Sequence, residues 1–232
     1  MVRLVQVSAS YAPQTTCVLN DISFRVSKGE SVALIGANGA GKTSLLLAIT
    51  GILPIRRGAV FIDGDELSKR TIRTAQRKTG LVFQNPDDQL FMPRVYDDAL
   101  FGLLNRGIAE EEADRRVRET LDRLGVGHLA DRSPFRLSGG EKRLCALAAV
   151  LAMEPEVLLF DEPTAFLDPK ARRVLRAIIR SLPHTKLVAT HDLDFAQDLC
   201  SRALILCSGA LAADGDPAAL FADAPRMTAW GL

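Results

Sequence analysis

The chain has 232 residues, and its 47% hydrophobic content is enough for one large domain or for a core with a subdomain. Its formal net charge is +1, so charge gives no support for nucleic acid or an anionic membrane surface as a partner. The longest apolar run covers residues 144–153, well short of the roughly 18 or more that a membrane-spanning helix needs. We therefore expect a soluble, intracellular protein without a secretory signal.

The cysteines give no support for a metal site. The four cysteines (Cys17, Cys145, Cys200 and Cys207) have no C-x-x-C spacing, and the three histidines do not stand at ligand spacing from them. We expect reduced thiols and no zinc site.

The first fifty residues predict three β-strands followed by a helix. Residues 4–7 and 22–26 have the apolar patterns of strands, and residues 32–35 form a continuous apolar run typical of a strand buried on both faces. Residues 44–49 have the composition of a helix start. A short glycine-rich segment therefore joins the third strand to the helix.

That segment fits the pattern G-x-x-x-x-G-K-[ST]. Its residues are Gly36, Ala37, Asn38, Gly39, Ala40, Gly41, Lys42 and Thr43, and Ser44 follows directly. Glycines let consecutive backbone N–H groups turn inward around phosphates at a helix start. Lys42 would place a positive charge on the phosphates, and the Thr43 hydroxyl would ligate Mg²⁺. A glycine-rich turn without a ligand is a poor alternative, since a chance match has a probability of roughly 1%.

The remaining elements alternate between strands and helices, with one change of character. Strands are predicted at residues 59–63 and 81–83. From residue 86 to about 154 the chain turns helical; within it, apolar residues recur at helical spacing at Ala113, Val117, Leu121 and Leu124. Later elements are strands at 157–160 and 187–190, helices at 170–182 and 192–200, and a hairpin from 204–206 to 210–212.

Two further motifs follow the phosphate-binding loop. The first is the run Leu137-Ser138-Gly139-Gly140-Glu141, and the second is an apolar strand that ends in Asp161-Glu162. With the motifs in this order, the chain resembles the ATPase subunits of ABC transporters over nearly its whole length. The resemblance implies an α/β, P-loop NTPase (RecA-like) core with an antiparallel β-subdomain and an inserted α-helical subdomain. It implies one domain over 1–232, with 1–85 and 155–232 as core plus β-subdomain and 86–154 as helical subdomain.

The resemblance assigns catalytic roles to residues that follow three predicted strands. Asp161 would hold Mg²⁺ and Glu162 would polarise the attacking water; both stand at a strand's carboxyl end, where ligands lie in α/β folds. Gln84 would sense Mg²⁺ and water, and His191 would hydrogen-bond the γ-phosphate. Taken alone, the two acids could belong to a solvated turn before Pro163, and the histidine could have a purely structural role. The order of the motifs favours the catalytic interpretation.

Ser138 has two compatible interpretations. Ser-x-x-Glu ahead of an apolar run is a capping box, and a capped helix that begins with glycines also binds anions. In the family this motif closes on the γ-phosphate held by the opposite subunit, so Ser138, Gly139 and Gly140 are predicted to contact ATP. Glu141 stands where family members often carry Gln, a variation that we expect to be tolerated.

The resemblance adds two residues to the predicted ATP site. Asp168 matches the loop whose Asp communicates across the dimer. Tyr11 stands where an aromatic ring commonly stacks on adenine, although a tyrosine at a strand end is also common in packing.

The segment 84–91 resembles the corresponding segment of one subgroup of these ATPases, those of energy-coupling-factor transporters. Residues 97–102 are similar to the same subgroup. The alternative is a polar turn with two exposed acids, Asp87 and Asp88, and a buried Leu90-Phe91 pair. Within this group residues 137–143 are most similar to the cobalt/nickel branch, with biotin and other vitamin importers as alternatives. A soluble ABC ATPase of iron–sulfur assembly is a rival that segment 84–91 disfavours.

The resemblance also implies partners. We expect an ATP-hydrolysing motor that uses ATP and Mg²⁺ and pairs with a second ATPase subunit, as a homodimer. It would drive uptake through a transmembrane scaffold and a substrate-binding membrane subunit, at the cytoplasmic face of the cell membrane. Nucleic acid is not an expected partner.

Overall fold

A computed structural model describes residues 1–12 and 16–232 of the chain. These residues form two compact units. The first unit contains Met1–Leu81, Glu156–Glu162 and Pro183–Leu232, and the second contains Val82–Pro155 and Pro163–Leu182. Within the described residues, no helix has the length and apolar character required to cross a membrane.

The elements alternate between strands and helices along much of the chain. In the first half they are β1 (Val2–Ala9), β2 (Leu19–Val26), β3 (Ser31–Ile35), α1 (Lys42–Ile49), β4 (Ile55–Ile62), β5 (Asp65–Glu66), α2 (Ile72–Lys78), β6 (Thr79–Val82), α3 (Val95–Asn105) and α4 (Glu110–Arg123). In the second half they are α5 (Gly139–Leu151), β7 (Val157–Asp161), α6 (Pro169–Ser181), β8 (Thr185–Thr190), α7 (Leu193–Leu199), β9 (Arg202–Cys207), β10 (Ala210–Gly215), α8 (Pro217–Ala222) and α9 (Ala224–Ala229).

A four-stranded sheet in the first unit has the order β2-β1-β4-β5 and is antiparallel. Its strands alternate buried and exposed residues, and Leu4 lies opposite both Phe24 and Val60. The pairing of β1 with β4 is irregular near Gly58, whose φ is +81°. A Cβ there would lie 2.3 Å from the Val5 carbonyl oxygen, so this close approach requires glycine. The predicted antiparallel β-subdomain is confirmed.

The second sheet has the order β10-β9-β3-β8-β7-β6. Strand β8 pairs in parallel with β3 on one side and β7 on the other, and β9 and β10 form an antiparallel hairpin. Strands β7 and β8 are buried along their whole length, which explains the apolar runs at residues 157–160 and 187–189. Their register brings Ile35, Asp161 and Thr190 to the same edge of the sheet, at the carboxyl ends of three neighbouring strands.

The second unit contains helices α3 to α6. On α4 the predicted apolar positions Ala113, Val117 and Leu121 are buried, whereas the intervening charged residues lie outward in ion pairs. The N-terminal part of this unit is fastened by Asp98, whose Oδ1 accepts N–H groups of Phe91 and Met92 at 2.9 and 3.0 Å. The helical insertion of the predicted fold class is confirmed, and this unit also contains Pro163–Leu182, which lies outside the predicted bounds of 86–154.

Several elements differ from the sequence-based expectation: strand β4 begins at Ile55 rather than at residue 59, and helices α8 and α9 were not predicted. Strand β6 begins at Thr79 rather than at residue 81, and helix α2 directly precedes it. Only Ala75 of α2 is buried, so the helix has no apolar stripe from which it could have been predicted.

Candidate nucleotide site

The segment between β3 and α1 curves as a glycine-rich loop at the carboxyl edge of the parallel strands. Gly39 and Gly41 have φ values of +80° and +104°, which glycine adopts without strain. Gly41 is the N-cap of α1, and no side chain caps this helix. The free backbone N–H groups of the first turn therefore face the loop, the arrangement that binds phosphate.

Lys42 is folded into this loop. Its Nζ donates to the carbonyl oxygens of Gly36 at 2.7 Å and Ala37 at 3.3 Å, and its side chain is 7% exposed. The ammonium also lies 3.4 Å from Oε1 of Glu162. A positive charge is thus held inside the loop, where an incoming phosphate would compete for it.

Thr43 of α1 lies beside Asp161, the last residue of β7. Thr43 is an exposed residue whose hydroxyl donates to Oδ2 of Asp161 at 2.7 Å, while Asp161 itself is buried. A hydroxyl and a carboxylate oxygen are hard donors of the kind that Mg²⁺ binds beside nucleotide phosphates. The residues present therefore fit a magnesium ion.

Glu162 is held by several groups from the end of β8. Its carboxylate accepts the Thr190 hydroxyl at 3.2 Å and the His191 N–H at 3.3 Å, and Oε2 lies 2.9 Å from Nδ1 of His191. The Glu162 backbone has a φ of +43°, and its N–H donates to the Ala189 carbonyl. Such a backbone is uncommon outside glycine and is typical of functional sites.

Tyr11 lies beside the first turn of α1. Its hydroxyl is 2.9 Å from the Ser44 hydroxyl, and the residue is 59% exposed. An exposed ring next to the phosphate-binding helix is available for stacking, and its contact with adenine stays a prediction.

The capping interpretation of Ser138 is confirmed in the second unit. Ser138 is the N-cap of α5, and its hydroxyl and N–H both donate to Oε2 of Glu141, at 2.7 and 2.8 Å. These bonds lower the pKa of the Glu141 carboxyl below its ordinary value. Ser138 and Gly139 are exposed, so the helix N-terminus is also accessible to an anion.

Asp168 lies on the same face of the second unit. A cavity of about 260 Å³ is lined by Ser138, Gly140 and Asp168 together with residues of α5 and α6. The Asp168 carboxylate accepts the N–H groups of Ala171 and Lys170, which lowers its pKa. Asp168 is therefore the N-cap of α6, a role that the sequence analysis did not assign to it.

The predicted residues thus belong to two groups. Lys42, Thr43, Asp161, Glu162 and His191 meet in the first unit. The remaining predicted catalytic and signature residues, Gln84, Ser138, Gly139, Gly140 and Asp168, belong to the second unit.

Sequence reasoning missed two contributors. Thr190 was assigned only to a strand, although its hydroxyl bonds Glu162. Arg143 was noted only as part of a motif, although it is 2% exposed and donates to the carbonyl oxygens of Phe83 and Gln84. No periodicity or motif spacing reveals a buried arginine whose partners are backbone carbonyls.

A phosphate loop between a buried parallel strand and a helix, with an Asp-Glu pair ending a nearby parallel strand, defines a P-loop NTPase. Residues 19–165 match the profile of the family described as ABC transporter. The chain belongs to this family as an ATP-binding subunit, and it is an ATPase of an ABC transporter. The predicted family, fold and enzyme class are confirmed.

Three proteins illustrate the similarity. The energy-coupling factor transporter ATP-binding protein EcfA of Methanothermobacter thermautotrophicus is 42% identical, over 97% of this chain and 73% of its own. The structure of cbiO1 from Clostridium perfringens, part of the ABC transporter complex cbiONQ, is 34% identical with a TM-score of 0.84, covering 98% of this chain and 93% of that one. The dimeric cassette MJ0796, bound to ADP and Pi, is 26% identical with a TM-score of 0.83, covering 94% and 99%. Several relatives at 40–49% identity have names no finer than ABC transporter ATP-binding protein.

Proposed function

We propose that this ATPase is the motor of an energy-coupling-factor importer. The similarity to EcfA and to cbiO1 supports this type, and so does the segment 84–91. The cobalt/nickel branch is the proposed substrate class, because residues 137–143 resemble that branch and cbiO1 is part of cbiONQ. The proposed location is the cytoplasmic face of the cell membrane, with the protein bound peripherally.

Glu162 is proposed to polarise the attacking water. The observation that supports this role is the set of hydrogen bonds and ion pairs that keeps its carboxylate in place. Thr190 and His191 fix Oε2, whereas Oε1 faces the ammonium of Lys42. A carboxylate held by neighbouring donors keeps one orientation, as a general base requires. His191, 65% exposed at its side chain, is proposed to reach the γ-phosphate as well.

The proposed ATP contacts are made by the glycine-rich loop and the residues around it. The backbone of residues 36–41 with Lys42 and Ser44 would bind the phosphates, and Tyr11 would stack on adenine. Thr43 and Asp161 would hold Mg²⁺, which neutralises phosphate charge when bound. The role of Gln84 toward Mg²⁺, which the family resemblance implies, stays a prediction.

The working unit is proposed to be a homodimer. The exposed helix N-terminus at Ser138, Gly139 and Gly140 would contact ATP held by the partner subunit, and Asp168 on the same face would lie at that interface. The dimeric state of MJ0796 supports this assembly. ATP binding would close the two subunits, and hydrolysis would release them.

The segment 85–91 is the proposed contact with the transmembrane scaffold. Asp87 and Asp88 are exposed, and Phe91, 60% exposed, packs edge-to-face on Phe101 at 5.3 Å. Leu90 is 2% exposed, so it is not part of the exposed surface. The apolar part of this surface is Phe91 with Phe101, and Leu90 anchors the segment within its own unit.

The partners and solute can be tested directly. The tagged chain is purified from detergent-solubilised membranes of its host, and the co-purifying integral proteins are identified, with the untagged strain as control. A transmembrane scaffold and a substrate-binding membrane protein are the expected companions, and recovery solely with soluble iron–sulfur proteins would contradict the proposal. Uptake of radioactive Co²⁺, Ni²⁺ and biotin by the reconstituted complex then separates the substrate classes.

A further inference from the structure

Arg143 is a charged side chain in a buried position of α5. It is 2% exposed, five residues after the N-cap Ser138 and thus about 7.5 Å further along the helix axis. Burial of a guanidinium is unfavourable unless its N–H groups find acceptors. The acceptors of Arg143 should therefore indicate why an arginine stands here.

The acceptors are backbone carbonyls from two loops. Nη1 donates to the Phe83 carbonyl and Nη2 to the Gln84 carbonyl, both at 2.6 Å, and Nη2 also lies 3.4 Å from the Ala165 carbonyl. The planar fork of arginine presents two N–H groups side by side, which matches two consecutive carbonyls. All of these residues belong to the second unit.

Further contacts fasten the same loop to the same helix. The Gln89 side chain accepts the Phe83 N–H at 3.3 Å and donates to the Ala146 carbonyl at 2.6 Å, and Lys142 pairs with Asp87 at 2.5 Å. The loop from Phe83 to Gln89 is thus held along one face of α5. Arg143 is the buried member of this set and the one that holds the backbone of Gln84 itself.

We propose that Arg143 is a positioning residue for ATP hydrolysis, which fixes the backbone of Gln84 to the helix that begins at Ser138. The inference rests on the proposed function, in which Gln84 senses Mg²⁺ and water and Ser138 contacts the partner's ATP. By joining the two, Arg143 makes the placement of Gln84 depend on the placement of the signature helix. Arg143 itself touches neither nucleotide nor water in this account.

The test uses the purified full chain and three variants. Arg143→Met keeps the length of the side chain without donors, Arg143→Lys keeps the charge without the fork, and Arg116→Met is the control. Arg116 is an arginine of the same unit that forms ion pairs with Glu112 and Glu154 and holds no loop backbone near Gln84. The measurements are kcat, KM and the Kd for ATP, with circular dichroism to verify folding.

Arg143→Met is expected to lower kcat roughly 10- to 100-fold while the Kd for ATP changes less than about twofold, because the phosphate loop is in the other unit. Arg143→Lys should be intermediate, since an ammonium cannot present the paired N–H groups. Arg116→Met should retain wild-type kcat. Wild-type kcat in Arg143→Met, or in Arg143→Lys, would overturn the inference.

A double-mutant cycle with Gln84→Ala separates positioning from general support of the fold. If Arg143 acts through Gln84, Arg143→Met should lower kcat far less in the Gln84→Ala background than in the wild type. Equal, multiplicative losses would overturn the inference. If Arg143→Met does not fold, the cycle is run with Arg143→Lys and judged by the same criterion.

The cycle also distinguishes the inference from the function on which it rests. A Gln84→Ala variant with wild-type kcat would remove Gln84 from its proposed role, and the inference would fall with it. An impaired Gln84→Ala beside an unimpaired Arg143→Met would overturn the inference alone.

Discussion

Lys42 and Glu162 form a buried ion pair, with 3.4 Å between Nζ and Oε1 and 7% of each side chain exposed. Buried charges are tolerated when each has partners, and here Lys42 also has the loop carbonyls while Glu162 has Thr190 and His191. Phosphate bound in the loop would compete with Glu162 for the ammonium. The pair therefore links the phosphate-binding group to the proposed catalytic carboxylate.

Removal of the Lys42 ammonium tests its proposed role in binding phosphate. Lys42→Ala should lose ATP affinity, because the positive charge in the loop is gone, and should lower the free energy of unfolding by about 3 kcal/mol, because Glu162 loses its buried cationic partner. ATP titration and urea unfolding measure the two effects. Lys28→Ala, at an exposed lysine of the same unit, should leave both values unchanged. Undiminished ATP affinity in Lys42→Ala would contradict the role of the loop.

A mixed dimer tests whether the signature serves the partner's ATP. Ser138→Arg should block hydrolysis while each chain still binds ATP, since the arginine fills the exposed helix N-terminus. When Ser138→Arg and Lys42→Ala chains are combined, both defects fall around one composite site and the other site is intact. The mixed dimers should regain activity over either parent.

The control for this experiment is Ser181→Arg, at an exposed serine at the end of α6, which should hydrolyse ATP normally. No gain in confirmed mixed dimers would count against the shared-site geometry.

Charge reversal tests the contact with the scaffold. Replacing Asp88 by Lys should leave the ATPase activity of the isolated subunit largely intact and weaken assembly with the membrane partner, because the new lysine would repel the basic residues of the scaffold that this segment is proposed to contact. Asp87 is left in place, because its pair with Lys142 fastens the loop that carries Gln84. Pull-down and solute uptake measure this effect. The charge-matched control replaces the exposed Glu119 by Lys. Unchanged assembly together with unchanged uptake would make segment 85–91 an ordinary surface turn.

The capping box predicts a pH dependence. The pKa of Glu141 is lowered by the Ser138 hydroxyl, so its stabilisation is complete above the unfolded value near 4.5 and is lost as pH falls through the lower folded value. Glu141→Gln keeps the acceptor but not the charge at the helix N-terminus, and should cost less than about 1 kcal/mol at neutral pH. The difference in unfolding free energy between variant and wild type should vanish in acid. A difference that is constant with pH would contradict this assignment.

The phosphate loop, the two acids at the end of β7 and the histidine after β8 could be placed from the sequence, because each stands at the carboxyl end of a strand with an apolar run. Parallel strands align their carboxyl ends, so order along the chain predicted proximity in space. The cap at Ser138 was equally predictable, since it depends on residues three apart.

Features that depend on tertiary partners were not predictable. Arginine is usually a surface residue, and the burial of Arg143 depends on the carbonyls of a loop some sixty positions earlier in the chain. Hydrophobicity alone does not distinguish a core residue from an interface residue, so the sequence does not separate the buried Leu90 from the exposed Phe91. The burial of Leu90 beside the exposure of Phe91 is decided by packing in the folded unit.

ATP turnover and assembly of Glu162→Gln test the central claim most directly. The variant keeps the shape of the side chain but lacks the carboxylate that polarises water, so turnover should fall about 100-fold or more while ATP binding is retained. With ATP it should accumulate as a dimer in size-exclusion chromatography. Glu156→Gln, at an exposed glutamate just before β7, should hydrolyse ATP like the wild type. Near wild-type hydrolysis by Glu162→Gln, without an ATP-dependent dimer, would contradict the account.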